Sequence, residues 1–196
     1  MRRLMGRLFL ALLIGIVGAA VVHIAVIFAI PRVAEDNAWG RLSRVGAVFE
    51  PVRVPTLGSD VGDMRAGFAF VDPSFLTYAC RFSVAAGPVR LLADGQTSFW
   101  SASIYSRSGD NLYSTNRRVA PDGVFDLLVG SFDQLETIRL EGSLPGDNTV
   151  PVTVAVDELY LTLRAVVDDE SERPFVEAFM DTLSCDQVPL LAGAAG

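Results

Sequence analysis

FWSASIYSRSGDNLYSTNRR, residues 99 to 118, alternates in steps of two. Successive side chains of an extended chain point to opposite faces, so Trp100, Ala102 and Ile104 share one face, and Phe99, Ser101, Ser103 and Tyr105 share the other. The first set is apolar. A half-buried strand is expected, with Trp100 in a core and the opposite face more polar. Ser108-Gly109-Asp110-Asn111 then supplies turn chemistry, and Leu112 to Thr115 resumes the alternation, which predicts a hairpin.

The pattern repeats on both sides. Tyr78 to Val84 is closed by Ala86-Gly87-Pro88, Val124 to Val129 follows Pro121-Asp122-Gly123, and Thr137 to Leu140 precedes Pro145-Gly146-Asp147-Asn148. Val150 to Val156 and Leu159 to Val167 bring the set to about seven short strands, which predicts a single antiparallel β-sandwich or jelly-roll-like domain over 67–185. After Ser171 the period changes. Phe175, Val176, Phe179, Met180 and Leu183 recur at helical spacing, with Pro174 in the first turn. One amphipathic helix is expected over 171–184, packed by its Phe face and capped by Ser171 or Asp169, followed by a flexible tail over 186–196.

At the other end, LFLALLIGIVGAAVVHIAVIFAI from Leu8 to Ile30 carries no charge. As a helix its 23 residues would reach about 34 Å, enough for a hydrocarbon core of about 30 Å. It is longer than the apolar part of a signal peptide, about 7–15 residues, so an uncleaved transmembrane helix is expected, ended by Pro31. The flank over 1–7 holds Arg2, Arg3 and Arg7. Arg32, Arg41 and Arg44 are spread among acidic residues, so the N-terminus is expected in the cytoplasm and the domain in the periplasm, with the bilayer of a bacterial inner membrane as first partner. Ala11, Gly15, Ala19 and His23 recur every four residues and offer a face for a homo-oligomer. The alternative is that small residues are common in such helices and that His23 leans toward the headgroups. Residues 31–66, with Pro51, Pro55, Gly58 and Gly62, read as a stalk and lead-in. A short helix near Trp39 is expected there, lying either at the membrane interface or on the domain.

The chain has no Lys, and all 23 acidic residues follow the apolar run, against 13 Arg from Arg32 onward. A domain so acidic is a poor partner for nucleic acid. Cys80 and Cys185, both on the exported side, predict a disulfide. The one His lies in the apolar run, so the domain lacks the residues for a Ser-His-Asp, Ser-Lys or Cys-His nucleophile or for a histidine metal site, and no phosphate-cradling glycine motif occurs. No catalytic residue, cofactor or metal ligand is assigned. Carboxylates alone can cleave a glycosidic bond, but Asp110, Asp126, Asp133 and Glu136 show no paired spacing. Asp168-Asp169-Glu170 lacks the alternating ligands of a calcium loop and reads as the lead into a helix N-terminus.

CRFSVAAGPVRL (80–91), the 99–118 stretch and LYLTLRAVV (159–167) resemble two linked bacterial domain-of-unknown-function families, numbered 1254 and 1214. HIAVIFAIPRVAEDNAW (23–39) is similar to the short, membrane-anchored members of family 1254. The resemblance implies a β-sandwich body and a separately encoded companion of the linked family. It brings no catalytic residue. Within its motif Phe99, Trp100, Ser101, Tyr105, Gly109 and Asn111 read as structural. The function expected is that of a non-catalytic, membrane-anchored binding or assembly module of the cell envelope. The alternative is a glycan-active or carbohydrate-binding domain, with Trp100 or Tyr105 stacking on a sugar.

Overall fold

A computed structural model describes residues 2–33, 38–54, 72, 74–142 and 144–189, and divides the chain into two compact units that part after Asn37. The first unit is the helix α1, Arg2–Val33. From Met5 to Ala29 all of its side chains are exposed, and this stretch is long and apolar enough to cross a membrane. The helix runs through Pro31, where it had been expected to stop. So close to a helix end, a proline forfeits only one backbone hydrogen bond of the final turn.

The second unit is mainly β. Its strands are β1 (Val52–Arg53), β2 (Phe75–Ser83), β3 (Val89–Ala93), β4 (Trp100–Ser106), β5 (Asn111–Asn116), β6 (Phe125–Gly130), β7 (Val150–Thr153), β8 (Glu158–Val166) and β9 (Ser184–Gln187). One sheet has the order β1-β2-β8-β4-β5 and is antiparallel throughout; the other has the order β7-β6-β3-β9. The sheets enclose one core. Leu76, Cys80 and Phe82 of β2, Trp100 and Ile104 of β4, and Leu159, Leu161 and Leu163 of β8 meet Val89 and Leu91 of β3 and Phe125, Leu127 and Val129 of β6. Leu161 is registered between Cys80 and Ile104. The expected sandwich is therefore present, with the hairpin β4–β5 as its clearest sequence signal.

One pair departs from the antiparallel expectation. β6 and β7 run parallel, joined by the helix α3 (Phe132–Glu141), so this part of the chain is a β-α-β crossover. The strand expected over Thr137 to Leu140 is part of α3. Two β-branched residues, Thr137 and Ile138, suggested extension, but capping decides the matter. Ser131 accepts from the Gln134 backbone N–H and the Gln134 side chain accepts from the Ser131 N–H, closing a capping box, while Gly142 ends the helix in the left-handed conformation at φ 64°. Leu135 and Ile138 then pack with Leu128 on the outer face of the second sheet.

The lead-in is not a free stalk. The helix α2 (Ala38–Leu42) buries Trp39 and Leu42 against Ala79, Tyr160 and Val54 on the outer face of the first sheet, where β1 pairs with β2. Trp39 thus lies on the domain, with the guanidinium groups of Arg81 and Arg107 5.2 and 5.9 Å from its ring centre. Gly46 lies against Val52 so closely that a Cβ there would collide with its side chain. Of the expected stalk, residues 34–37 and 55–66 lie outside the described residues, as do the first residues of the expected domain and positions 190–196 of the expected tail.

The last described helix of the domain, α4, spans Arg173–Asp181, shorter than 171–184. Neither Ser171 nor Asp169 caps it. Asp169 instead accepts from the Ser171 backbone N–H in a turn before the helix, and Pro174 sits in the first turn. Val176, Phe179 and Met180 enter the core, but Phe175, expected on the packed face, is 73% exposed. The domain also continues past 185: Asp186 and Gln187 belong to β9, and the Val188 N–H donates to the Pro88 carbonyl at 2.8 Å. The β9 sequence, with only Cys185 turned inward, carries too little apolar alternation to announce a strand.

Candidate ligand-binding site

Three loops meet at one end of the sandwich. The β3–β4 loop brings Asp94, Gln96, Thr97 and Ser98, the segment after β5 brings Arg117, Arg118 and Asp122, and the approach to α4 brings Asp168 and Glu172. Between them lie three depressions of about 430, 480 and 240 Å³ that share Arg117 in their walls. The two larger ones fall in the range of small-ligand sites, about 300–1,000 Å³.

Arg117 is placed by the hairpin. Its backbone N–H donates to the Trp100 carbonyl at 3.1 Å, continuing the β4–β5 ladder by one residue. The chain then turns through Pro121–Gly123, with Asp122 at φ 51° and Gly123 at φ 69°. Only glycine fits the last position without cost, since a Cβ would come 3.2 Å from Arg117 Cγ. The turn is fixed from beneath by Trp100, whose Nε1–H donates to the Gly123 carbonyl at 3.0 Å, and whose ring meets Phe125 edge-on at 5.3 Å.

Among the described residues, Arg117 makes no ion pair with Asp94, Asp122, Asp168 or Glu172, although it shares a cavity wall with each. Arg118 stacks over Phe99, 5.9 Å from its ring centre. Thr97 is 9% exposed, and its hydroxyl is buried without a hydrogen-bond partner in the floor shared by two of the depressions. A buried hydroxyl without a partner costs about 1–3 kcal/mol, which a ligand's polar atom would offset. Phe175 and Val176 give one wall an apolar side.

The sequence-predicted residues fall elsewhere or serve the scaffold. Cys80 and Cys185 form the disulfide, with Cα atoms 6.8 Å apart and a separation of 105 in sequence. The bond joins β2 to β9, so it links the two sheets across the core; it does not attach to the terminal helix. Ala11, Gly15, Ala19 and His23 lie along one stripe of α1, and nothing stands within 4 Å of a Cβ built at Gly15. Trp100 is core, and Tyr105 stacks on Tyr160 at 5.1 Å and 14° on the sheet's outer face. Ser101 faces outward, Gly109 turns the hairpin at φ 96°, and Asn111 donates to Ser114 Oγ at 3.0 Å.

The candidate carboxylates are not brought together. Asp110 accepts from Ser106 and Ser108 in the β4–β5 hairpin, and those hydrogen bonds hold it below the usual carboxylate range. Asp126 is buried under the loop before β7, held bidentately by Arg90 at 2.9 and 2.8 Å and by the Thr149 hydroxyl at 2.6 Å. The same bond raises the Arg90 guanidinium above its ordinary value. Asp133 and Glu136 lie on α3, where Glu136 pairs with Arg139. In the acidic run, Glu170 pairs with Arg173, and among the described residues no three His, Cys, Asp or Glu side chains gather as a metal site would require.

Arg117 and Arg118 close the hairpin stretch 99–118, and alternation alone assigns them no role. An Arg-Arg pair directly after a strand, with a Pro-Asp-Gly turn three residues on, was the available signal. The opposite walls, Thr97 and Glu172, come from loops too far away in sequence to be placed beside it.

No family model matches the chain, and no curated protein matches it in sequence. A solved structure resembles its fold. The VPA0106 protein from Vibrio parahaemolyticus aligns over 64% of this chain with a TM-score of 0.50 at 16% identity. An uncharacterised protein from Burkholderia cenocepacia aligns over 62% with a TM-score of 0.39, also at 16% identity. The chain spans about a third of the length of each, 31% and 32%. The Vibrio likeness is one of fold alone.

Proposed function

We propose that this chain is a single-pass, membrane-anchored binding or assembly module of the bacterial cell envelope, with its N-terminus in the cytoplasm and its β-sandwich in the periplasm. The observation that carries the reading is the exposed apolar helix from Met5 to Ala29 placed ahead of a domain closed by the Cys80–Cys185 disulfide. Disulfides persist in oxidising compartments, and Arg2, Arg3 and Arg7 on the short flank favour its retention in the cytoplasm. The likeness of the 80–91, 99–118 and 159–167 segments to families 1254 and 1214 supports a place beside a companion of the linked family. Among the described residues, the end of the sandwich around Arg117 offers cavities of a size that can hold a ligand. The structural tasks of Asp110, Asp126 and Glu136 weigh against the glycosidase alternative.

The test is a pair of fusions after Gly196, one to a reporter active only in the periplasm and one to a reporter active only in the cytoplasm. Activity of the periplasmic reporter alone is the expected result. Activity of the cytoplasmic reporter alone would overturn both the orientation and the export.

A further inference from the structure

We propose that the cavities around Arg117 bind a small zwitterion with an apolar side chain, of the amino-acid class; this rests on the reading of the domain as a binding module. Arg117 and the carboxylates of Asp94 and Asp122 line the same cavity of about 240 Å³ without pairing to one another. Opposite charges in one cavity wall either join in an ion pair or stay available to a ligand that carries both signs. None of these three side chains has a salt bridge among the described residues. Asp94 feels the charge of Arg90, whose own hydrogen bonds go to Asp126. A wall that holds one cation and two anions, none of them in a salt bridge among the described residues, complements a ligand carrying both an ammonium and a carboxylate.

The chemistry sets the orientation. A guanidinium is the natural partner of a carboxylate, because its planar fork matches two oxygens. Arg117 therefore takes the ligand carboxylate, and Asp122, with Asp94 in the same cavity wall, takes the ammonium. The unpartnered Thr97 hydroxyl, buried between this cavity and its neighbour, gains its missing hydrogen bond from the same ligand head. The neighbouring depression of about 430 Å³ shares Gln96, Thr97 and Arg117 with the first and is walled by Phe175 and Val176, so the side chain of the ligand lies there on apolar surface. Exposure of Phe175, 73%, on a helix whose other aromatic residue is buried, fits that use. A ligand bearing only negative charge is disfavoured, since four carboxylates, Asp94, Asp122, Asp168 and Glu172, line these cavities against two cations, Arg117 and Arg118.

The experiment uses the full isotope-labelled chain in lipid nanodiscs and three probes: L-phenylalanine, its amide, which keeps only the ammonium, and its N-acetyl derivative, which keeps only the carboxylate. L-Phenylalanine is expected to shift the backbone resonances of Thr97, Arg117 and Gly123 in a saturable way. Each blocked analogue is expected to bind about tenfold or more weakly, the effect of losing one charge-assisted hydrogen bond. Arg117→Gln should weaken L-phenylalanine and the N-acetyl derivative but not the amide. Asp122→Asn, tolerated because Asn also adopts positive φ, should weaken L-phenylalanine and the amide but not the N-acetyl derivative. Binding of either blocked analogue as tightly as L-phenylalanine would overturn the zwitterion assignment and leave the binding-module reading standing. Silence of Thr97, Arg117 and Gly123 toward all three probes would remove the site itself, whereas the anchored, exported state is decided separately by the reporter fusions.

Discussion

The Tyr78 hydroxyl donates a 2.5 Å hydrogen bond to the Asp181 carboxylate, tying the inner face of β2 to the last residue of α4. Burial first, and then the hydrogen bond and charge of Asp181, push the phenol up to about 12. Tyr160 is likewise raised to about 12, by burial and then by Tyr105 and Asp110. In the unfolded chain both titrate near about 10. Between those values the unfolded state has already lost the protons that the folded state keeps, so stability is full below about pH 10 and falls as pH rises toward about 12. Urea denaturation at a series of alkaline pH values should show this fall, and Tyr78→Phe should make it shallower without abolishing it. A pH-independent midpoint across the window would refute the assignment.

The bond between Cys80 and Cys185 links the two sheets, so its loss should be felt by the whole sandwich. Cys80→Ser and Cys185→Ser are each expected to cost about 2–5 kcal/mol. The double variant should cost little more than either single one, because both remove the same link. Denaturation midpoints of the three variants check this, and additive losses would contradict it.

Asp126 is 4% exposed and depends on Arg90 for its countercharge. Arg90→Leu leaves that carboxylate buried with only the Thr149 hydroxyl, and should destabilise by about 3–5 kcal/mol. The double variant Arg90→Leu with Asp126→Leu should recover most of the loss, since a well-packed apolar pair is often as stable as a buried ion pair. Comparing the single and double variants by thermal denaturation measures the difference.

At the crossover helix, Ser131→Ala should cost about 1 kcal/mol by leaving the first turn uncapped. Gln134→Ala should cost more than its exposure suggests, since its side chain also donates to the Val84 carbonyl at 2.8 Å and so holds α3 to the loop after β2. Amide exchange rates in α3 report both effects.

The sequence made β4–β5 and α4 legible because each buries one face and exposes the other. There the period itself carries the information. β3 does not stand out because Val89–Ala93 follows Pro88 within a general apolar stretch, and α3 reads as a strand because Thr137 and Ile138 favour extension while the decisive signals, Ser131 with Gln134 and Gly142, lie at its ends. The Arg117 site was not legible for a different reason. It is assembled from the 94–98, 117–123 and 168–176 segments, and only tertiary folding brings these three together.

β8 occupies the middle of the first sheet, paired with β2 on one side and β4 on the other, with Phe75 opposite Val166 and Trp100 opposite Ala165. During folding the β4–β5 hairpin closes over a short loop and the β6-α3-β7 crossover over a single helix, whereas the residues of β2 must wait for partners 75 to 91 positions downstream. Until β8 inserts, β2 and β4 each carry an unsatisfied edge beside an apolar face, the arrangement most prone to pairing with another chain. The time the domain spends at risk of aggregation is therefore set by the arrival of one late strand, and substitutions that slow the docking of β8 should lower yield more than their cost in equilibrium stability would suggest.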